Sequence, residues 1–199
     1  MSPSTPPPAH PSCTGIVLAA GAGTRYGKPK ALAADGGWLR TAVTALRRGG
    51  CDPVIVLLGA SGPDPAPLGL PPDVDWRWVA DWATGLSATV RAGLVAATEA
   101  DTRYVAFLPV DIPDITGDVV ARVVAAAAAS ETGLARAVFH DTPGHPAVIE
   151  NKHWDAISAM AVGDYGAGSY LGGRQDMVCV TCDDLATGTD RDFPEDAAR

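Results

Sequence analysis

The 199-residue chain has little basic charge, no long apolar run and no hydrophobic leader. Each absence removes a class of function. No stretch approaches the ~20 apolar residues that cross a bilayer as a helix, so a spanning segment is not expected. Lys and Arg number 15 against 23 Asp and Glu, a formal net charge of −8, which argues against a nucleic-acid or anionic-membrane partner, since both select a basic face. Met1–Ser12 holds five prolines and no hydrophobic region, unlike a secretory leader. Residues 1–12 therefore read as a disordered tail and 13–199 as one domain, long enough for a real core. With no leader, a cytoplasmic protein with reduced thiols is expected. The four cysteines are Cys13, Cys51, Cys179 and Cys182. Cys179 and Cys182 have zinc half-site spacing, but no convincing second pair of ligands accompanies them. They sit in an apolar run in which strand alternation puts the two thiols on opposite faces. The reading preferred is buried structural cysteine.

What is present is an alternation of strand-like and helix-like segments without an internal repeat. Apolar runs at 15–20, 53–58, 74–80 and 104–110 predict strands, with further strands at 134–140, 146–150 and 177–181. Helices are predicted at 39–48, 86–99, 117–129 and 151–160, and the Pro- and Gly-rich stretch 59–73 reads as a surface loop. This is the pattern of a three-layer α/β/α fold on a mostly parallel sheet. Such sheets bind ligands beyond the carboxyl ends of their strands, where the loops after 15–20 and 104–110 open.

The first of those loops is the most informative segment. Ile16–Ala20 leads into glycines at 21, 23 and 27 with Arg25, Lys28 and Lys30 among them. Glycines let a backbone approach phosphate and aim successive N–H groups at it, and cations in the same loop supply the charge a polyphosphate needs. A dinucleotide fingerprint would need a helix starting within the glycines and an acid after the next strand. Here Pro29 interrupts the helical pattern, and 53–58 ends in Gly59-Ala60-Ser61. A Walker-type loop needs Ser or Thr after Gly27-Lys28, where the chain has Pro29. A nucleoside triphosphate site is the favoured reading, against a glycine-rich turn with solvated charges.

A second constellation, Asp111-Ile-Pro113, follows a predicted strand. Its carboxylate either caps a turn or faces the crevice as a hard ligand for Mg²⁺, which takes one or two protein carboxylates and completes its shell with water and phosphate. The acidic run Asp190–Asp196 offers a second carboxylate, or is simply an acidic terminus.

The order of these motifs resembles the molybdenum cofactor cytidylyltransferase-like branch of nucleotidyltransferases with a glycosyltransferase-A-type fold. Its opening loop is matched by Leu18, Ala19, Ala20, Gly21, Arg25, Gly27 and Lys30, with Tyr26 at a Met or Phe position. Its helix start is matched by Gly85, Thr89 (Ser is usual), Gly93 and Leu94, and its Asp-x-Pro motif by Asp111 and Pro113. Gly144-His145-Pro146, Gly163-Asp164-Tyr165-Gly166-Ala167 and the ending Asp190, Asp192, Pro194, Glu195 and Asp196 complete the set. The family usually continues into a closing helix, whereas this sequence ends at Arg199.

The resemblance implies attack by an acceptor phosphate on the α-phosphorus of a nucleoside triphosphate, with pyrophosphate leaving. It implies a nucleotide site of Leu18, Ala19, Ala20, Gly21, Ala22, Gly23, Thr24, Arg25, Lys30, Gly85, Thr89 and Asp111. Arg25, Lys30 and Asp111 are the implied catalytic residues, and Asp111 and Asp192 the implied ligands of Mg²⁺. His145 and Asp164 would face the acceptor; a structural turn histidine is the other reading of His145. Ala20 in an Ala-Ala-Gly sequence points to CTP, where guanylyltransferase relatives carry Ala-Gly-Gly. Molybdopterin is the implied acceptor, with transient contact to a molybdoenzyme or its chaperone. The alternatives are GTP, another acceptor such as phospholactate or a sugar phosphate, and a non-catalytic nucleotide-binding accessory protein.

Overall fold

Three strands carry apolar side chains on both faces, which suits positions covered by helices above and below. These are β1 (Cys13–Ala19), β2 (Val54–Leu58) and β4 (Tyr104–Pro109). In the computed structural model, which describes residues 11–193, they form the middle of a seven-stranded sheet of order β3-β2-β1-β4-β6-β5-β7. The remaining strands are β3 (Asp75–Trp78), β5 (Leu134–Phe139), β6 (Thr142–Glu150) and β7 (Val178–Thr181). Only β6 runs antiparallel to its neighbours.

Strand alternation divides the core. Val17, Val56, Ala106 and Leu108 face α1 (Gly37–Arg48) and α3 (Gly117–Ala129). Ile16, Ile55, Leu57, Val105 and Phe107 face α2 (Leu86–Glu99), α4 (Trp154–Met160) and the short α5 (Gly168–Leu171). A side chain at Gly93 would meet Phe107 at 2.8 Å and Ile16 at 3.1 Å, so this glycine sets the close approach of α2 to the sheet. The Thr116 hydroxyl caps α3 by accepting from the Val119 amide.

The three-layer, mostly parallel architecture agrees with the sequence reading, and the differences have local causes. Strand β6 begins at Thr142, not 146, because His140 and Asp141, both at positive φ, form a two-residue hairpin loop between paired Phe139 and Thr142. Pro143, Gly144 and Pro146 hide that start, since all three are poor strand formers. The predicted helix 151–160 is a 3-10 turn (Asn151–His153) followed by α4, and α5 was missed because four residues carry no readable periodicity. Segment 59–73 is more than a surface loop: its 3-10 turn Ala66–Leu68 buries Leu68, whose carbonyl accepts from Arg40 of α1. Cys179 corrects the cysteine reading, being exposed on the edge strand β7 while Cys182 is buried. Most of the predicted tail, residues 1–10, and the terminal Pro194, Glu195 and Asp196 lie outside the described residues.

Candidate active site

Where β1 and β4 end, a cavity of about 720 Å³ opens. Leu18, Ala19, Ala20, Gly21, Gly23, Thr24, Arg25 and Lys30 line one side. The loop is fixed at both ends: the Gly27 amide donates to the Gly23 carbonyl at 2.8 Å, and the Ala60 amide to the Ala20 carbonyl at 2.9 Å. Between them Tyr26 is buried against Trp38, ring centroids 5.3 Å apart. That anchor turns Arg25 outward and leaves Lys28 exposed. Thr89, although buried, reaches the cavity from α2, beside Leu86.

Ala22 and Gly85 are not among the cavity-lining residues. Gly85 serves the site indirectly. At φ 112° it begins α2, and a side chain there would lie 2.4 Å from the Gly163 carbonyl carbon. This close approach lets the Gly163 carbonyl accept from the Ser87 amide at 2.9 Å, which carries Asp164 to the cavity edge.

The centre of the cavity is a charge cluster. Lys30 Nζ donates to Asp111 Oδ2 at 2.7 Å and to Asp192 Oδ1 at 2.6 Å, and Arg25 pairs with the other oxygen of Asp192. Burial draws the Lys30 ammonium down, but its hydrogen bonds to the two aspartates outweigh burial and leave its pKa above the ordinary lysine value. The bond from Lys30 in turn holds the Asp192 carboxyl below its usual range, with Arg25 adding to the effect. Two carboxylates converging on one cation-sized position fit a hard divalent ion that draws its other ligands from water and phosphate. Among the described residues no group of three or more His, Cys, Asp or Glu is placed to hold a metal.

Asp192 arrives on a strap, not on a strand. Asp114 Oδ2 accepts from the Thr187 amide (2.7 Å), the Thr187 hydroxyl (2.6 Å) and the Gly188 amide (3.2 Å). The Arg191 amide then donates to the Asp111 carbonyl at 2.9 Å. Gly188 sits at φ 65° with the Phe139 ring where a side chain would begin, the nearest ring carbon at 2.1 Å. Sequence reasoning missed Asp114, whose signal was a second acid three residues after Asp111. It also left Asp190, another cavity residue, outside the predicted site.

Thr142, Pro143, Gly144 and His145 form the wall opposite the loop. Burial pushes the His145 imidazole down to about 4, with the charge of Arg136 acting in the same direction, so the ring is neutral at physiological pH.

Residues 15–178 match the model of the MobA-like NTP transferase domain. The chain belongs to that family. It is therefore a nucleotidyltransferase domain of the MobA-like type. Over 201 aligned residues it is 33% identical to a protein named nicotine blue oxidoreductase of Paenarthrobacter nicotinovorans, covering 95% of this chain and 96% of the relative. Among solved structures it resembles Rv0371c of Mycobacterium tuberculosis H37Rv, with a TM-score of 0.77, 22% identity and coverage of 96% and 98%. A manganese complex of Rv0371c matches with a TM-score of 0.67 and 20% identity over 94% and 97% of the two chains. The 2-C-methyl-D-erythritol 4-phosphate cytidylyltransferase of Thermus thermophilus aligns with a TM-score of 0.68 and 19% identity, covering 94% and 96%. These structural likenesses establish the fold. No helix among the described residues is long and apolar enough to cross a membrane.

Proposed function

We propose that this MobA-like transferase moves CMP from CTP onto a small phosphorylated acceptor, molybdopterin being the favoured one, and releases pyrophosphate. The reading is carried by the convergence of Arg25, Lys30, Asp111 and Asp192 on one point at the mouth of β1 and β4. An acceptor phosphate is already ionised at neutral pH, so the reaction needs no general base, and the protein contributes positioning and charge.

In this reading the amides of Gly21 to Thr24 cradle the β- and γ-phosphates, and Leu18, Ala19, Ala20 and Thr89 bound the nucleoside. Arg25 and Lys30 balance charge on the bridging and non-bridging oxygens as pyrophosphate departs. Asp111 and Asp192 hold Mg²⁺, which when bound supplies positive charge to the α-phosphate and the leaving pyrophosphate. His145, neutral, and Asp164 face the acceptor. Gly85 acts by positioning the Asp164 turn, and Ala22 by its backbone. Ala20 supports CTP over GTP. A cytoplasmic site of action and a transient contact with a molybdoenzyme or its chaperone follow from the same reading, with residues 13–199 acting as one domain.

A second reading rests on the 33% identity to the protein named an oxidoreductase. With a nicotinamide as the electron carrier it would call for a ribose-binding acid, and β2 ends in Gly59-Ala60-Ser61 without one. One experiment separates the two. Protein is mixed with each nucleoside triphosphate, Mg²⁺ and a panel of phosphorylated acceptors including molybdopterin, and pyrophosphate is measured; nicotinamide oxidation is followed in parallel. CTP-dependent pyrophosphate release is expected. Preference for GTP removes the cytidine assignment, and nicotinamide turnover without pyrophosphate replaces the reading altogether.

A further inference from the structure

Arg136 is a cation without an obvious purpose. It lies on β5, in register with Ala147 of β6 and Cys179 of β7. Ala135 and Ala137 belong to the core beneath α1 and α3, so alternation sends Arg136 to the opposite face, which it shares with Ala147 and His145. There it is half-buried. One Nη donates to the Gly144 carbonyl at 3.2 Å, while its Nε is shielded from solvent and has no hydrogen-bond partner. Half-buried Arg47, Arg77, Arg122 and Arg174 each meet a carboxylate, and half-buried Arg40 and Arg91 each donate to two neutral oxygens. Arg136 has no carboxylate partner among the described residues, and its Nε has no acceptor.

Such an arrangement costs stability. A guanidinium withdrawn from water with an orphaned N–H forfeits solvation that one neutral carbonyl does not return. Burial accordingly draws the Arg136 pKa down. Folded proteins leave few buried polar groups unpaired, and a cation left so beside a cavity is suited to an incoming anion. Arg136 does not itself line the cavity, but Gly144 and His145, the two residues it touches or polarises, both do, on the side away from the glycine loop.

We infer that Arg136 is the anion-reading residue of the acceptor side, taking a phosphate oxygen of the acceptor when its guanidinium exchanges the Gly144 carbonyl for that ligand. This rests on the transferase reading for the identity of the ligand as an acceptor, although not for the presence of the anion site. A guanidinium turned off Gly144 presents Nε and an Nη side by side, the geometry that bonds phosphate in a bidentate manner. Nε, idle in the free protein, gains its partner only then. Neutral His145 beside it adds a hydrogen-bond donor or acceptor without a competing positive charge.

The test titrates the full chain with inorganic phosphate at pH 7.5 and follows two sets of NMR signals: the His145 imidazole and the amides of Gly21 and Gly23. In the unaltered protein both sets should move. In Arg136→Gln the loop amides should move as before, while the affinity read at His145 falls about tenfold or more, the loss of a charge-assisted hydrogen bond. Arg136→Lys should recover part of it. Thermal unfolding of Arg136→Gln should occur at an equal or higher temperature, because the substitution removes an unpaired charge. The inference is overturned if His145 does not respond to phosphate, or responds equally in Arg136→Gln. It is also overturned if Arg136→Gln unfolds at a lower temperature with its phosphate response intact, which marks the side chain as a brace for the start of β6. Absence of pyrophosphate release with every nucleotide, alongside an Arg136-dependent phosphate response, would refute the transferase reading and leave the anion site standing.

Discussion

The two sides of the cavity are built in opposite ways. The glycine-loop side comes from one continuous segment, Leu18 to Lys30, fixed by a turn bond at Gly23, a buried Tyr26 and the Ala20–Ala60 contact. The opposite side gathers the Thr142–His145 hairpin arm, the Asp164 turn and the strap bearing Asp190 and Asp192, segments far apart in sequence. The first side is a local structure that the sheet merely displays; the second exists only once the sheet has formed. Asp111, at the end of a buried strand, and Asp192, on a strap, meet where the two kinds of construction join.

The sharpest way to break that contrast is to compare the two carboxylates. Asp111→Asn and Asp192→Asn should each lower turnover by at least about 10²–10³-fold, the scale of losing one preorganised electrostatic group, with sheet stability little changed. Near-native pyrophosphate release from Asp192→Asn would show that only the strand-borne acid matters. Next comes Lys30→Met. It should reduce turnover by a similar or smaller factor, yet strengthen Mn²⁺ binding measured by calorimetry without nucleotide, because two carboxylates lose the cation that pairs them. Weaker Mn²⁺ binding in that variant would mean the aspartates are not a common cation site. Gly188→Ala should cost roughly 1–3 kcal/mol through a strained left-handed residue pressed on Phe139, with protease sensitivity appearing in the strap first. A uniform loss across the sheet would contradict a separable second side.

A pH slope tests the second side in another way. His145 holds its proton only to about 4 in the native protein, against about 6.5 unfolded. Between those values the unfolded chain binds the additional proton, so stability falls as pH is lowered from about 6.5 to 4 and this contribution is constant above. His145→Gln should flatten that part of a stability–pH curve; an unchanged slope would assign it to other groups.

How much was legible follows the same division. The glycine loop, Asp111 and the strands that present them could be read because each signal lies within a few residues: apolar run, glycines, cations, strand-terminal acid. Thr89 and Gly93 were placed on the correct helix, and packing explains Gly93 directly. The start of β6 was obscured by its prolines and by a hairpin turn of His140 and Asp141, which no Asn-Gly signature announces. Asp114 was missed because its work is done on amides 73 and 74 residues away. Arg136 reads in sequence as an ordinary strand residue, and its lack of a counter-ion appears only when the neighbouring strands are in place.

The strap has a kinetic consequence. Thr187 and Gly188 are held by hydrogen bonds to Asp114, and Asp192 by ion pairs with Lys30 and Arg25, outside the dense ladder of the sheet. Segments tied in this way open at a lower free energy than global unfolding. The amides of Thr187 and Gly188 should therefore exchange with deuterium well before those of β1 and β4. Each such opening takes Asp192 away from Asp111 while the glycine loop stays formed. The lifetime of the closed strap, more than the stability of the fold, then sets how long a complete cavity persists.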